Sequence, residues 1–287
     1  IIERLIRLYI PLVVGMLLIV PPQVYIERIT HGDFTGSFFQ FFPHIIDGIY
    51  PAGNFSWHHL WFLPYLLTMS IISTPLFLML RNPENSILRY LNKLINSSPF
   101  NLYLFIIPLF IIEFLLEPNF PVTRALIGDW YAFSYYFLFF ISGYFLICLG
   151  NSFWSAVDRI LSVSILTGLI CVVTLIWMVQ GDDVNILFPM LKTLNVWSWL
   201  LVIFGLCSRY LNHESKMIKY RNQAVYPFYI LHQTITVIFG FLLMDHPMHY
   251  MWKFIIMVIG TFGFSWMLYE FMIRRISVLR PLFGLKT

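Results

Sequence analysis

Eight stretches of this chain are each long and apolar enough to cross a bilayer: roughly 8–26, 57–80, 99–116, 130–150, 160–179, 195–211, 224–243 and 251–272. A helix needs about 20 mostly apolar residues to span a hydrocarbon core, and only helices or closed barrels satisfy their own backbone there. No ten-residue alternation of apolar and polar side chains occurs, so a transmembrane barrel is excluded. The expected fold class is all-α: a polytopic transmembrane helical bundle of eight spans, folded as a single domain over residues 1–287. Only 11% of residues are charged, against about 25% in soluble domains. Lipid must therefore be the solvent for most of the surface. The net charge of +4 is small and dispersed, which excludes nucleic acid as a partner. Cys148, Cys171 and Cys207 all lie in apolar runs, an arrangement that does not suit a disulfide framework.

The loops set the orientation. Of the 18 Lys and Arg residues, all except Arg28, Arg124, Lys192 and Lys253 fall on one alternate set of loops, the N-terminal stub and the tail included. Basic residues accumulate on the cytoplasmic side, so both termini are expected in the cytoplasm and the 37–50 segment outside. Segments 37–50, 85–95 and 151–161 are aromatic or amphipathic and suit either the headgroup plane or ordinary loop packing.

A polar group inside the hydrocarbon region is costly and points to function or to a buried partner. His58 and His59 open the second span, at the outer interface, beside Trp57 and Trp61. They suit either a wet aromatic belt or proton transfer. His232 lies near mid-membrane and suits either an interhelical hydrogen bond or a reacting base. Glu113 and Glu117 share a helical face. With Arg124 they form either a staple or a substrate clamp, so Trp61, Glu113, Glu117 and Arg124 are candidates for lining a substrate path. Arg4 and Arg7 share a face at the cytoplasmic end and suit either an anchor or a bidentate phosphate grip. There is no metal-ligand spacing, no P-loop and no GxSxG.

Five stretches taken in order carry a resemblance: RLIRLYIPLVVGMLLIVPPQVYIER (4–28), HLWFLPYLL (59–67), GDWYAFSYYFLFFISGY (128–144), AVYPFYILHQTI (224–235) and YEFMIRRISVLRPLFGL (269–285). Together they resemble the membrane acyltransferase family 3, nearest its glucan-modifying succinyltransferase branch. The resemblance implies O-acyl transfer, of an acetyl or succinyl group, from cytoplasmic acyl-CoA. The acceptor would be a hydroxyl of an extracytoplasmic glycan or envelope polysaccharide. It implies a multi-pass protein of the cell inner membrane with lipid around it and no bound cofactor, acyl-CoA being the donor substrate. Arg4 and Arg7 match the family's R-x-x-R pattern, which holds the CoA phosphates. His59 matches its HLWFL motif and His232 its late YxLH motif. The family has about ten spans, with its proposed catalytic His on the first. The chain is accordingly expected to be N-terminally truncated, short of two helices and inactive alone, with His59 and His232 as supporting catalytic groups. The competing reading is a transporter or exporter with His232 and Glu113 as a proton relay.

The orientation is testable by single-cysteine labelling. Tags in 212–222 and in the tail should react only from the cytoplasm, and tags in 40–50 only from outside. The reverse pattern would invert every side assignment above.

Overall fold

A computed structural model describes residues 2–82, 85–181 and 186–286, with side chains of the first helix described from Ile6 onward. The helices in chain order are α1 (Ile2–Val14), α2 (Pro21–His31), α3 (Phe38–Phe41), α4 (Phe62–Ile72), α5 (Thr74–Met79), α6 (Ser86–Ser97), α7 (Ile106–Leu116), α8 (Trp130–Cys148), α9 (Asn151–Gln180), α10 (Leu187–Tyr210), α11 (Lys216–Leu243), α12 (Tyr250–Leu268) and α13 (Leu279–Leu282). Among the described residues the nearest thing to a strand is one isolated bridge, Ile49 to Phe55. The all-α expectation holds, and the molecule is a helical multi-pass membrane protein.

Among the described residues, seven helical segments are long and apolar enough to cross a membrane. The eighth expected crossing, 57–80, is interrupted. It begins as a 3-10 turn, His58–Trp61, continues as α4, and breaks at Ser73 before α5. Pro75, at the start of α5, explains the break: it has no N–H to donate, and its ring crowds the carbonyl four residues back. The 151–161 segment also differs from expectation. It is the first part of the 30-residue α9 rather than a separate interfacial piece, because no proline interrupts 151–180.

The chain divides into two compact units, residues 1–67 with 214–287 and residues 68–213. In the first, the α1–α2 segment packs on α11, α13 and the 3-10 turn. Its core holds Leu8, Leu12, Val20, Leu60, Ile230 and Ile273. The join between α1 and α2 is irregular for a clear reason. Pro21 and Pro22 cannot donate backbone hydrogen bonds, so Gly15–Ile19 widens into a π turn in which the Val20 N–H reaches back to Gly15 O at 2.8 Å. The Gln23 N–H then bonds Val20 O at 2.8 Å, and the carbonyl of Ile19 is left over.

In the second unit the α9–α10 pair forms the spine. Glycine permits the close approach: a Cβ at Gly205 would lie 2.9 Å from Leu161 Cδ1. Polarity is inverted relative to a soluble bundle. Ser164, Thr193 and Ser198 are fully buried, while Val173 and Trp177 are about two-thirds exposed. Lipid is as apolar as leucine, so small and hydroxylated residues mediate helix contact. The Tyr103 hydroxyl donates to Ser164 Oγ at 2.9 Å and pairs with Ser198 Oγ at 3.3 Å. The Trp197 indole N–H donates to Leu102 O at 2.9 Å.

An ion pair with a buried carboxylate sits inside this unit. Glu113 of α7 is 2% exposed, and its carboxylate contacts the Lys192 ammonium of α10. It also accepts a 2.6 Å bond from the Tyr131 hydroxyl of α8. Three helices thus converge on one carboxylate. Removing one partner of a buried pair strands the other charge, whereas replacing both with apolar groups is often neutral. Lys192 is 38% exposed while Glu113 is buried, so Lys192→Met should lower stability by about 1–3 kcal/mol, the cost of stranding the carboxylate, and Glu113→Leu with Lys192→Met should recover most of it. Detergent-phase melting measures both. A double variant no better than the single would show that the pair is not what joins the three helices.

Candidate functional site

The site lies in the first unit, where α2, the 3-10 turn and α11 meet. The Ile19 carbonyl, left over because the Gln23 N–H bonds Val20 O instead, accepts a 2.6 Å bond from the Thr234 hydroxyl of α11. The Thr234 oxygen in turn accepts the Gln23 amide at 2.6 Å. The same amide nitrogen reaches His59 Nδ1 at 3.2 Å. His59 Nε2 lies 3.0 Å from Ile230 O, and the Tyr229 hydroxyl donates to the His59 carbonyl at 2.8 Å. A carbonyl only accepts and an amide NH₂ donates, so these partners assign the proton to His59 Nε2 and the lone pair to Nδ1. Both nitrogens of His59 are therefore occupied.

His232 has the opposite arrangement. Its ring meets the His59 ring edge-on, with centroids 5.6 Å apart at 89°. Nδ1 lies 2.8 Å from Tyr229 O and 3.1 Å from Phe228 O. Both partners accept, so Nδ1 carries the proton and Nε2 carries the lone pair. His232 Nε2 is thus oriented as a base by its own helix, and no hydrogen bond among the described residues engages it.

Arg7 lies on the same α1–α2 segment, 16 residues before Gln23, or roughly 24 Å along a helix. Its Nε donates to Gly284 O at 3.2 Å, and its own carbonyl accepts the Tyr226 hydroxyl at 3.0 Å. Gly284 has φ +72°, and a Cβ there would fall 2.0 Å from Tyr226 Cε1, so only glycine fits this seat. The side chain of Arg4 lies outside the described residues.

A family model described as Acyltransferase domain (Acyl_transf_3) matches residues 1–270. The chain belongs to this acyltransferase family. Comparison with curated proteins and with solved structures gives no match. Membership makes the molecule a membrane acyltransferase, and its first unit brings the rings of His59 and His232 together.

The remaining sequence candidates of this acyltransferase are distributed as follows. Trp61 packs edge-on to Tyr65, with ring centroids 5.5 Å apart, in the first unit. Glu113 is committed to Lys192 and Tyr131 in the second. Glu117 is exposed where α7 ends. Exposed Arg124 takes a left-handed φ of 58°, and its main-chain N–H donates to Asp129 Oδ2 at 2.8 Å. Asp129 therefore closes the 124–129 loop with its side chain. Gln23 and Thr234 were not singled out from sequence, yet they hold the layer together. The readable signal for Gln23 was a polar residue directly after two prolines inside an apolar run.

Thr234→Val keeps the side chain's shape and strands both the Ile19 carbonyl and the Gln23 amide. Its expected cost is about 1–3 kcal/mol, read by melting. His59 should also become more reactive to diethylpyrocarbonate, read by peptide mass spectrometry. Unchanged melting and reactivity would show that the layer does not depend on this hydroxyl.

Proposed function

We propose that this membrane acyltransferase moves an acetyl or succinyl group from cytoplasmic acyl-CoA to a hydroxyl of an extracytoplasmic glycan or envelope polysaccharide. The observation that carries the reading is the orientation of His232: Nδ1 is tied to α11, the ring stands edge-on to His59, and among the described residues no hydrogen bond engages Nε2. On this reading Arg7, together with Arg4, holds the CoA phosphates at the cytoplasmic end of α1. A guanidinium remains charged and offers paired donors that match a phosphate. The thioester then lies along α1–α2, toward the histidine layer.

The chemistry follows from the lone pairs. The acceptor hydroxyl gives its proton to His232 Nε2, and its oxygen attacks the acyl carbonyl. The C–S bond breaks, the ester forms, and CoA leaves as the thiolate, to which the proton is finally returned. His59, with both nitrogens engaged, is a positioning residue that packs against the base. Among candidate bases in this unit, His232 alone combines an oriented lone pair with a span that excludes water.

The test is acyl transfer in proteoliposomes. His232→Gln should lower the rate by about 10²–10⁴, the usual contribution of a general base, with acyl-CoA binding preserved. Arg4→Ala with Arg7→Ala should do the reverse, weakening acyl-CoA binding while membrane insertion persists. A His232→Gln protein with the wild-type rate would remove the base from this reading. Unaltered CoA affinity in the double arginine variant would reduce that pair to an anchor.

A further inference from the structure

One turn beyond Gln23, roughly 6 Å along α2, a second set of reactive groups meets in the first unit. The Ser56 hydroxyl lies 3.0 Å from His58 Nδ1, and His58 Nε2 faces Glu27 Oε2 at 3.7 Å. The other oxygen of Glu27 accepts the Tyr50 hydroxyl at 3.1 Å. The Tyr50 ring stands perpendicular to the His58 ring at 4.8 Å. Burial, followed by the Glu27 carboxylate, pushes the Tyr50 hydroxyl above its ordinary pKa, so it remains a donor to Glu27.

Proton assignment follows from the partners. Ser56 Oγ already accepts the main-chain N–H of His58 at 3.0 Å, so its own proton is the one available to Nδ1. Nε2 then carries the ring proton, directed at the carboxylate. The result is a hydroxyl, an imidazole and a carboxylate in series, the logic of an activated nucleophile.

The loop is built to hold this geometry. Arg28 donates to the Pro51 and Gly53 carbonyls at 2.8 Å each and to Asn54 Oδ1 at 3.1 Å. Phe55 N–H bonds Gly48 O at 2.9 Å. Gly53 has no room for a Cβ, which would lie 2.1 Å from the Gly48 carbonyl carbon. His58 itself takes φ +37°, a sparsely populated conformation for a residue with a side chain. The His58 and Glu27 side chains are only 16% and 27% exposed.

We propose that Ser56 is a nucleophile that carries the acyl group as an ester between acyl-CoA and the final acceptor. The proposal rests on the acyl-transfer reading above and adds a covalent step to it. In the first half-reaction Ser56 Oγ gives its proton to His58 Nδ1 and attacks the thioester carbonyl. The C–S bond breaks and CoA leaves as the thiolate. The imidazolium left on His58 faces Glu27, which offsets its charge. In the second half-reaction the acceptor hydroxyl gives its proton to His232 and attacks the Ser56 ester. The Oγ–acyl bond breaks, and Oγ takes back the proton held on His58. The proton on His232 goes to the thiolate, and the sum is thioester plus alcohol to ester plus thiol.

The experiment uses the whole protein in nanodiscs with two probes. A fluorophosphonate should add to Ser56, located by peptide mass spectrometry, and acetyl-CoA should leave an acetyl ester on the same residue. His58→Gln and Glu27→Gln should each slow both additions at least tenfold. Glu27→Gln keeps the strained His58 backbone in case His58→Gln does not fold, and melting of each variant checks folding. Ser56→Ala should abolish both additions and lower acyl transfer at least tenfold. An active enzyme whose Ser56 stays unmodified, or a Ser56→Ala variant with the wild-type rate, overturns the nucleophile and leaves the acyltransferase reading standing. A Ser56 that takes the phosphonate but no acetyl group, in a protein that transfers nothing from acyl-CoA, instead defeats the donor reading and keeps the nucleophile.

Discussion

The histidine layer depends on one carbonyl left over at the α1–α2 join. There the helix is irregular around Pro21 and Pro22, and the Gln23 N–H bonds Val20 O instead of Ile19 O. In lipid a stranded carbonyl has no water to turn to, so another side chain must serve it. Thr234 does so, and because its oxygen also takes the Gln23 amide, the repair becomes a tie between α2 and α11. The amide nitrogen continues to His59 Nδ1. A local backbone defect thus fixes the tautomer of an imidazole on a third element. This is the opposite of a soluble helix kink, where solvent fills the gap and no side chain is constrained.

The same accounting separates two kinds of buried polar group. Glu113 satisfies its charge within its own unit through Lys192 and Tyr131. Such an arrangement holds α7, α8 and α10 together, which is a structural task. His232, by contrast, has one nitrogen bonded by its own helix and the other not engaged among the described residues. A group kept incompletely satisfied inside a membrane is costly to maintain, and so is a better candidate for chemistry than one fully paired.

Much of the fold was legible because apolar length is a strong signal: among the described residues, seven of eight expected spans are helical segments long and apolar enough to cross a membrane. The failures have specific causes. The 57–80 run is apolar throughout, but hydropathy does not register Pro75, which breaks it at Ser73. Pro108 sits in the first turn of α7, after a 3-10 segment that asks no α-helical bond of its nitrogen, so that run stays intact. Segment 151–161 looked interfacial because it carries Asp158 and Arg159, yet a helix does not end at charges alone. Within the site, His59 and His232 stood out by type. Their roles did not, because a tautomer is set by carbonyls from residues such as Ile230 and Tyr229 that any side chain would provide. Lys192, 79 residues after Glu113, gave no local sign of being its partner.

The order of polar groups along the first unit has a chemical consequence. Arg7, the Gln23–His59–His232 layer, and the Glu27–His58–Ser56 series occur in that order along one helical segment. On the proposed acyl-transfer reading, separated layers let a charged donor be held at one end while the reacting carbonyl sits among apolar helices, where its developing negative charge is less screened. His59 lies at the boundary between the last two layers and is adjacent in sequence to His58. Its ring is held by Gln23 and by the Ile230 carbonyl. On the proposed reading, His59 therefore positions His232 on one side and precedes the next imidazole on the other, and its two nitrogens are occupied by structure rather than left available for proton transfer.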